Sequence, residues 1–273
     1  MIKESKLSLS SRYLIAFAVL IIYLIPLFYL FNVSMKTQIE HLKSPVGLFE
    51  QFRFQNFVTA WNKGDFSKYI WNSVLYTSVT TFLSIMLSLF AAFPIARRYV
   101  KFPNALYVFF IMSLFLPIPL VPQFWLANQL GMYNEQWGYI LLRTGGTGIA
   151  FLLFVGYIKS ISKELDEAAA IDGCGYFRYI FQILIPLVKP VMATGVLLTA
   201  IGTWNDIIGP TIYLSDAKYQ PITRGLFAFY GQYLNDWPLL ACGIIIVAAP
   251  LIILYVFVQR YLVSGALAGS VKI

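Results

Sequence analysis

Six long apolar runs separated by polar pieces dominate the chain: Tyr13–Val33, Ile70–Ala96, Asn104–Leu126, Gly138–Ile158, Leu187–Ile208 and Leu239–Gln259. Each is near the ~20 residues that a helix needs to cross about 30 Å of hydrocarbon. The pattern predicts an all-α, polytopic integral membrane protein with six transmembrane helices, a single domain over residues 1–273 with its core helices in 70–260. The third run carries "LPIPLVPQF", in which Pro117, Pro119 and Pro122 remove backbone donors. Carbonyls freed inside a membrane must face protein or water, so a pore-lining bend and a kink shaped only for packing both fit. The fourth run holds Arg143, Gly145, Gly146 and Gly148, and its outer end is expected to unwind or to start later. The first run follows Lys3, Lys6 and Arg12, as a secretory leader would. It is longer than the ~7–15 apolar residues of such a leader and no small-x-small site follows it, so it reads as a first membrane helix that stays.

Composition agrees with this reading. The chain is 59% hydrophobic and 12% charged, against roughly 45–50% and about 25% for a soluble domain. That is too little charge to cover a soluble surface of this size. The net charge of +8 does not mark a nucleic-acid binder, because the basic residues lie between apolar runs and form no stripe. With the N-terminus inside, the inner pieces hold Lys3, Lys6, Arg12, Arg97, Arg98, Lys101, Lys159, Lys163, Arg178, Lys189, Arg260 and Lys272. The outer pieces hold Lys36, Lys43, Arg53, Lys63, Lys68, Lys218 and Arg224, with Arg143 near that side. The short loop Arg97–Lys101 decides most, since its outer neighbour Ala127–Trp137 has neither Lys nor Arg. Residues 1–12 and 261–273 are therefore expected in the cytoplasm. Two outer loops are long, Ser34–Tyr69 and Gly209–Pro238, and Phe57, Trp61 and Phe66 in the first are candidates for the membrane surface. Cys174 and Cys242 lie far apart and His41 is the one histidine, so no disulfide framework, metal site or catalytic constellation is present.

Between the fourth and fifth runs the chain interrupts itself with "ELDEAAAIDGCGYFRYIFQILIPL", Glu164 to Leu187. Glu164, Asp166 and Glu167 would complement the positive end of a helix dipole, Ser162 can cap that helix, and Gly173 suits a left-handed stop. A second short helix, about Tyr176–Ile185, is expected to lead to Pro186 and the fifth run. Ala168, Ala169 and Ala170 give the first helix a low profile that admits a partner's backbone. On the residues alone, an ordinary solvated helix with alanines chosen for propensity is the favoured alternative.

The spacing Glu167-Ala168-Ala169, Gly173, Ile183, Ile185-Pro186 resembles the EAA motif of membrane subunits of bacterial ABC importers. Ile185 stands where Leu is usual and Ser162 where Pro is common. "NSVLYTSVTTFLSIMLSLFAAFPIARRYVKFPN", "WNDIIGPTIYLSD" and "QRYLVSGALAGSVKI" are similar to blocks of the carbohydrate-uptake, MalG-like branch. The resemblance implies that residues 159–186 form a coupling loop, with Glu167, Ala168, Ala169, Asp172, Gly173, Ile183 and Pro186 engaging a separate ATPase. It implies that Gly265, Gly269 and Lys272 of the tail reach the same partner. It implies an inner-membrane permease half for a carbohydrate, working with a second homologous permease, an ATPase dimer and an extracytoplasmic solute-binding protein. The chain has no phosphate-binding Gly-x4-Gly-Lys-Ser/Thr loop, so ATP and Mg would belong to the partner, and no cofactor is expected here.

For the solute path, "WNDIIGP" offers Trp204 to stack on a sugar ring, and Asn205 and Asp206 to bond its hydroxyls. An intramembrane acid usually faces a cavity or a partner. Asp206 near the outer interface, paired structurally with Arg143 or another subunit, is the alternative. A permease for a non-sugar solute and an ion-coupled secondary carrier remain rival readings; the second would need Asp206 as its coupling acid.

Overall fold

The structure, a computed structural model, describes residues 6–145, 148–230 and 235–270, with side chains for 11–145, 148–230 and 235–261. Its described residues form helices joined by turns, without strands. The chain divides into two compact units, Met1–Ser67 with Arg224–Ala249, and Lys68–Thr223 with Pro250–Ile273.

The first unit contains α1 (Lys6–Ser34), α2 (Gln38–Lys43), α3 (Gln55–Lys63) and the start of α13 (Trp237–Ser270). Helix α1 is apolar all round, and its side chains stay exposed from Tyr13 to Phe28; burial begins at Asn32. The loop that follows is folded rather than slack. Thr37 and Glu40 form a reciprocal capping box at the start of α2. Asn32 Nδ2 donates to the Gly47 carbonyl at 2.8 Å while its Oδ1 accepts from Phe49 N–H at 2.8 Å. Lys36, buried, donates to the carbonyls of Ser44 at 2.7 Å and Pro45 at 3.2 Å. Phe66 is fully buried between Trp61 and Phe229, with centroids 6.1 and 6.4 Å away, so it is a core residue and not a membrane-surface anchor as expected.

The second unit is built on α4 (Phe66–Arg97) from Lys68 onward, α5 (Pro103–Phe115), α6 (Leu120–Gln129), α7 (Gln136–Thr144), α8 (Gly148–Ser160), α9 (Glu164–Ile171), α10 (Tyr176–Tyr179), α11 (Ile185–Trp204) and α12 (Ile208–Tyr213). Ile85, Leu89 and Phe93 of α4 meet Phe151, Phe154 and Ile158 of α8 and Ile180, Leu184 and Val188 near the start of α11 in one buried cluster. Gly195 lets α11 approach α4: a Cβ there would lie 3.0 Å from Ile85 Cδ1. A second cluster gathers Tyr76, Ala127, Tyr139, Ile140, Tyr213 and Leu214.

Among the described residues four helices are long and apolar enough to span a membrane, or up to six if each of two bent pairs is one span. The departures from the expected limits have local causes. The third run breaks into α5 and α6 at an angle of 106°. Leu116, before Pro117, is extended with ψ 132, as a residue preceding proline prefers. The fourth run divides into α7 and α8 with a 44° bend, where unwinding was expected; residues 146 and 147 lie outside the described residues.

The fifth run does not begin at Leu187. Tyr176–Trp204 is one continuous span, with a π-helical turn at Ile180–Leu184. The expected stop at Pro186 fails because the wider turn relieves the clash between a proline ring and the carbonyl four residues earlier. The same helix ends at Trp204, before Asn205 and Asp206 and short of the expected Ile208. The last helix runs past Gln259 to Ser270, so the backbone of Gly265 and Gly269 is helical, while Lys272 lies outside the described residues.

Candidate functional site

Two features of the second unit could do work: the helix α9 that interrupts the membrane segments, and a cavity beside Asp206.

Helix α9 starts one residue later than expected. Ser162 Oγ accepts from Glu164 N–H at 3.2 Å, and Lys163 occupies the cap position. Its end is a complete Schellman motif. Gly173 N–H donates to the Ala170 carbonyl at 3.1 Å and Cys174 N–H to the Ala169 carbonyl at 2.9 Å, with Gly173 left-handed at φ 69. The helix presents an outer face on which Leu165, Ala168 and Ile171 are exposed, Ile171 at 86%. Phe177, at 67% exposed, extends the apolar surface past the turn, and the acids Glu164, Glu167 and Asp172 are exposed with it. Ala169 is instead buried against the helix bundle, and Ile183 packs on the same core. Those two motif positions therefore face inward. Pro186 is exposed on the following helix, away from the α9 turn.

The inner face of α9 is tied down by charge. Arg97 Nε lies 2.7 Å from Asp166 Oδ2, as an ion pair off the line of an aligned hydrogen bond. Arg97 Nη2 donates to Asp166 Oδ1 at 3.2 Å. The two side chains are 2% and 7% exposed, so Arg97 is not a free loop charge of the kind that the inside-positive count assumes. Arg97 also donates to the carbonyls of Ile161 at 2.9 Å and Ser162 at 3.3 Å, just past the end of α8, where a cation favours the helix dipole. Tyr99 Oη donates to Asp166 Oδ2 at 3.1 Å, and Tyr179 Oη donates to Oδ1. Partial burial and the Asp166 carboxylate together hold the Tyr99 phenol above its usual range. Phe93 packs under this cluster, 5.2 Å from Tyr179 and 5.8 Å from Tyr99. Sequence reasoning missed the role of Asp166, which looked fully explained as a first-turn acid.

The cavity has a volume of about 670 Å³. The bend formed by Pro117, Pro119 and Pro122 lines it, together with Gln123, Tyr139, Arg143, Asp206 and Tyr213. Among the described residues Arg143 and Asp206 are the only charged ones that line it. Arg143 Nε stands 3.5 Å from Asp206 Oδ2, and Arg143 Nη2 donates to the Gly202 carbonyl at 2.8 Å. Tyr139 Oη donates to Asp206 Oδ2 at 3.0 Å, and Gly209 N–H donates to Oδ1 at 3.0 Å. Asp206 is thus both paired with Arg143 and at the cavity wall. It sits in the turn beyond α11, not within a membrane helix. Trp204 is 4% exposed and does not line the cavity, and exposed Asn205 is also absent from its wall. The expected trio is therefore not assembled; Gln123, Tyr139 and Tyr213, which sequence reasoning did not single out, stand beside Asp206 instead. Among the described residues no group of His, Cys, Asp and Glu is arranged to hold a metal ion.

Residues 84–266 match the family described as "Binding-protein-dependent transport system inner membrane component". The chain is 34% identical over 266 residues to the probable ABC transporter permease protein YurM of Bacillus subtilis (strain 168), covering 96% of this chain and 88% of the relative. It is 30% identical over 264 residues to the melibiose/raffinose/stachyose import permease protein MelC of the same organism, covering 95% of each. Among solved structures it resembles a chain of a bacterial ABC transporter involved in the import of the acidic polysaccharide alginate. That likeness has a TM-score of 0.81 at 20% identity and covers 96% of this chain and 99% of the other, so the fold is shared.

Proposed function

The chain belongs to the family of binding-protein-dependent transport system inner membrane components, and on that premise we propose that it is one permease half of an ABC importer for an uncharged oligosaccharide. The observation that carries the substrate class is the cavity, whose two charges are paired 3.5 Å apart. A wall with one guanidinium opposing one carboxylate offers a charged solute no net counter-charge. The hydroxyl and amide groups of Tyr139, Tyr213 and Gln123 match sugar hydroxyls, and the apolar remainder suits sugar ring faces. The import of melibiose, raffinose and stachyose named for the MelC relative agrees in chemistry.

In this reading a second, homologous permease completes the path. An extracytoplasmic solute-binding protein meets the folded loop after α1, and both termini lie in the cytoplasm. The outer face of α9 seats in an ATPase dimer, which binds ATP and Mg. Leu165, Ala168 and Ile171 supply the apolar contact, while Glu167 and Asp172 supply charge. The left-handed Gly173 closes the helix, and the tail around Gly265, Gly269 and Lys272 reaches toward the same partner.

The test is ATP hydrolysis by the complex reconstituted in vesicles with its binding protein, challenged with melibiose, raffinose, stachyose and oligouronates of matching length. Stimulation by the neutral sugars alone is expected. Stimulation by the oligouronates alone, or by none of these saccharides but by a non-sugar solute, overturns the substrate class. Uptake abolished by collapsing ion gradients with ATP present would instead identify a secondary carrier.

A further inference from the structure

We infer that Arg97 and Asp166, with Tyr99 and Tyr179, form a latch that makes α9 move as one body with the inner ends of α4 and α8. The inference rests on the docking role proposed for α9 and adds how displacement leaves that helix.

A docking helix joined to the bundle only through its two flanking turns would lose motion in them. On one side stand Ile161–Lys163, on the other Asp172–Gly175 with left-handed Gly173. Here the inner face is also held by side chains that lie outside both turns. One carboxylate, on Asp166, takes donors from three other places in the chain: Arg97 at the end of α4, Tyr99 in the loop beyond it, and Tyr179 at the base of the span leading into α11. The same guanidinium holds the Ile161 and Ser162 carbonyls after α8. Burial of both charged groups shields their attraction from salt. The fork of an arginine restrains direction as well as distance, which a lysine would not. The outer face of α9 contributes nothing to these contacts. It is left free for a partner, so holding and docking are divided between opposite sides of one short helix.

Arg97, Asp166, Tyr99 and Tyr179 are therefore positioning residues. Their test is a distance measurement within this chain in the full complex. Cys174 and Cys242 are first replaced by serine, and spin labels are placed at Ala170→Cys on α9 and Lys101→Cys in the loop after α4, both exposed. The complex is examined nucleotide-free and trapped with ATP and vanadate. In the otherwise unchanged protein a narrow distance distribution is expected, the same in both states. In Asp166→Asn it should broaden and shift between states, with Asp166→Glu partly restoring it and Tyr99→Phe intermediate. A purely structural role would lower thermal stability without making the distance depend on nucleotide. A distance that already changes on trapping in the parent protein, or one that stays narrow and fixed in Asp166→Asn, overturns the latch. Where Asp166→Asn inserts poorly, Tyr99→Phe decides by the same criterion. Cross-linking of Ala168→Cys to the ATPase is measured in parallel. Its absence in the parent complex overturns the docking role itself, whereas its presence with an unchanged Asp166→Asn distance overturns the latch alone.

Discussion

Gly173 separates two costs that usually arrive together. A Cβ built there meets nothing within 4 Å, so within this chain a side chain has room. What a substitution meets is the backbone, left-handed at φ 69. For a residue with an ordinary side chain that conformation costs roughly 1–2 kcal/mol, and asparagine, which visits the region routinely, loses less. Gly173→Ala should therefore destabilise the isolated permease by about 1 kcal/mol or somewhat more, a fall of about 2–4 °C in Tm by the scaling for chains of 150–250 residues. Gly173→Asn should fall by less. At a docked partner the order reverses, because bulk now decides and asparagine is larger than alanine. Overpacking a close contact costs typically 1–3 kcal/mol, which at 1.4 kcal/mol per tenfold weakens ATPase association by roughly 5- to 150-fold. Thermal unfolding of the detergent-solubilised permease gives the first order, and titration of the ATPase onto the permease in vesicles gives the second. If association follows stability, with alanine the worse of the two in both assays, no partner approaches this turn and α9 is a solvated connector.

Glu167 is exposed, so Glu167→Lys should leave stability within about 0.5 kcal/mol while weakening ATPase association, more at low salt than at high; a reversed charge on the ATPase should restore part of the loss, and binding unaffected at low salt would refute the contact. Gly138→Ala would place a Cβ 2.1 Å from the Met132 carbonyl oxygen, where backbone must yield. It should cost about 1–3 kcal/mol and lower the folded yield, whereas Gly156→Ala, with nothing within 4 Å, should behave as the parent in the same unfolding assay. Burial and the neighbouring Lys36 hold His41 below its ordinary value of 6.5. The unfolded chain thus takes up that proton first, and stability contributed by the neutral imidazole is present above pH 6.5 and lost as pH falls through the depressed value. Unfolding temperatures between pH 8 and pH 5 should show a slope that His41→Gln reduces; equal slopes would refute it.

How much of this was legible in the chain depended on whether its cause was local. That the chain has helices fit to span a membrane was legible, because apolar runs of spanning length have few other uses; their number was not, since two of the six runs are bent pairs. The end of α9 was, because Gly173 behind three alanines supplies all that a Schellman motif needs. The bend at Pro117–Pro122 was half legible: prolines mark where donors vanish, but the 106° turn depends on what the two short helices pack against. Pro186 misled, because a proline normally ends a helix and the relief offered by a π turn leaves no mark in the residues themselves. Trp204 misled for another reason, since an aromatic beside a polar pair looks available until packing covers it.

The ion pairs show the limit most clearly. Arg97 already had an explanation as an inside-facing charge and Asp166 as a first-turn acid, so neither called for the other across the chain. Each explanation holds for an exposed group, and neither holds for side chains 2% and 7% exposed. A chain with 12% charged residues has few candidates with which to neutralise a buried charge, and an unpaired one is costly. Sorting those candidates by membrane side narrows them further. The orientation expected from the short loops would put Arg97 and Asp166 together on the inner side, and Arg143 and Asp206 together near the outer one. The Arg143–Asp206 pair was legible as one of the partnerships open to Asp206, and it is present at 3.5 Å. On the inner side the same sorting sets Asp166 against Arg97, Arg98, Arg178 and Arg260, and only packing, which buries Arg97 to 2%, singles it out.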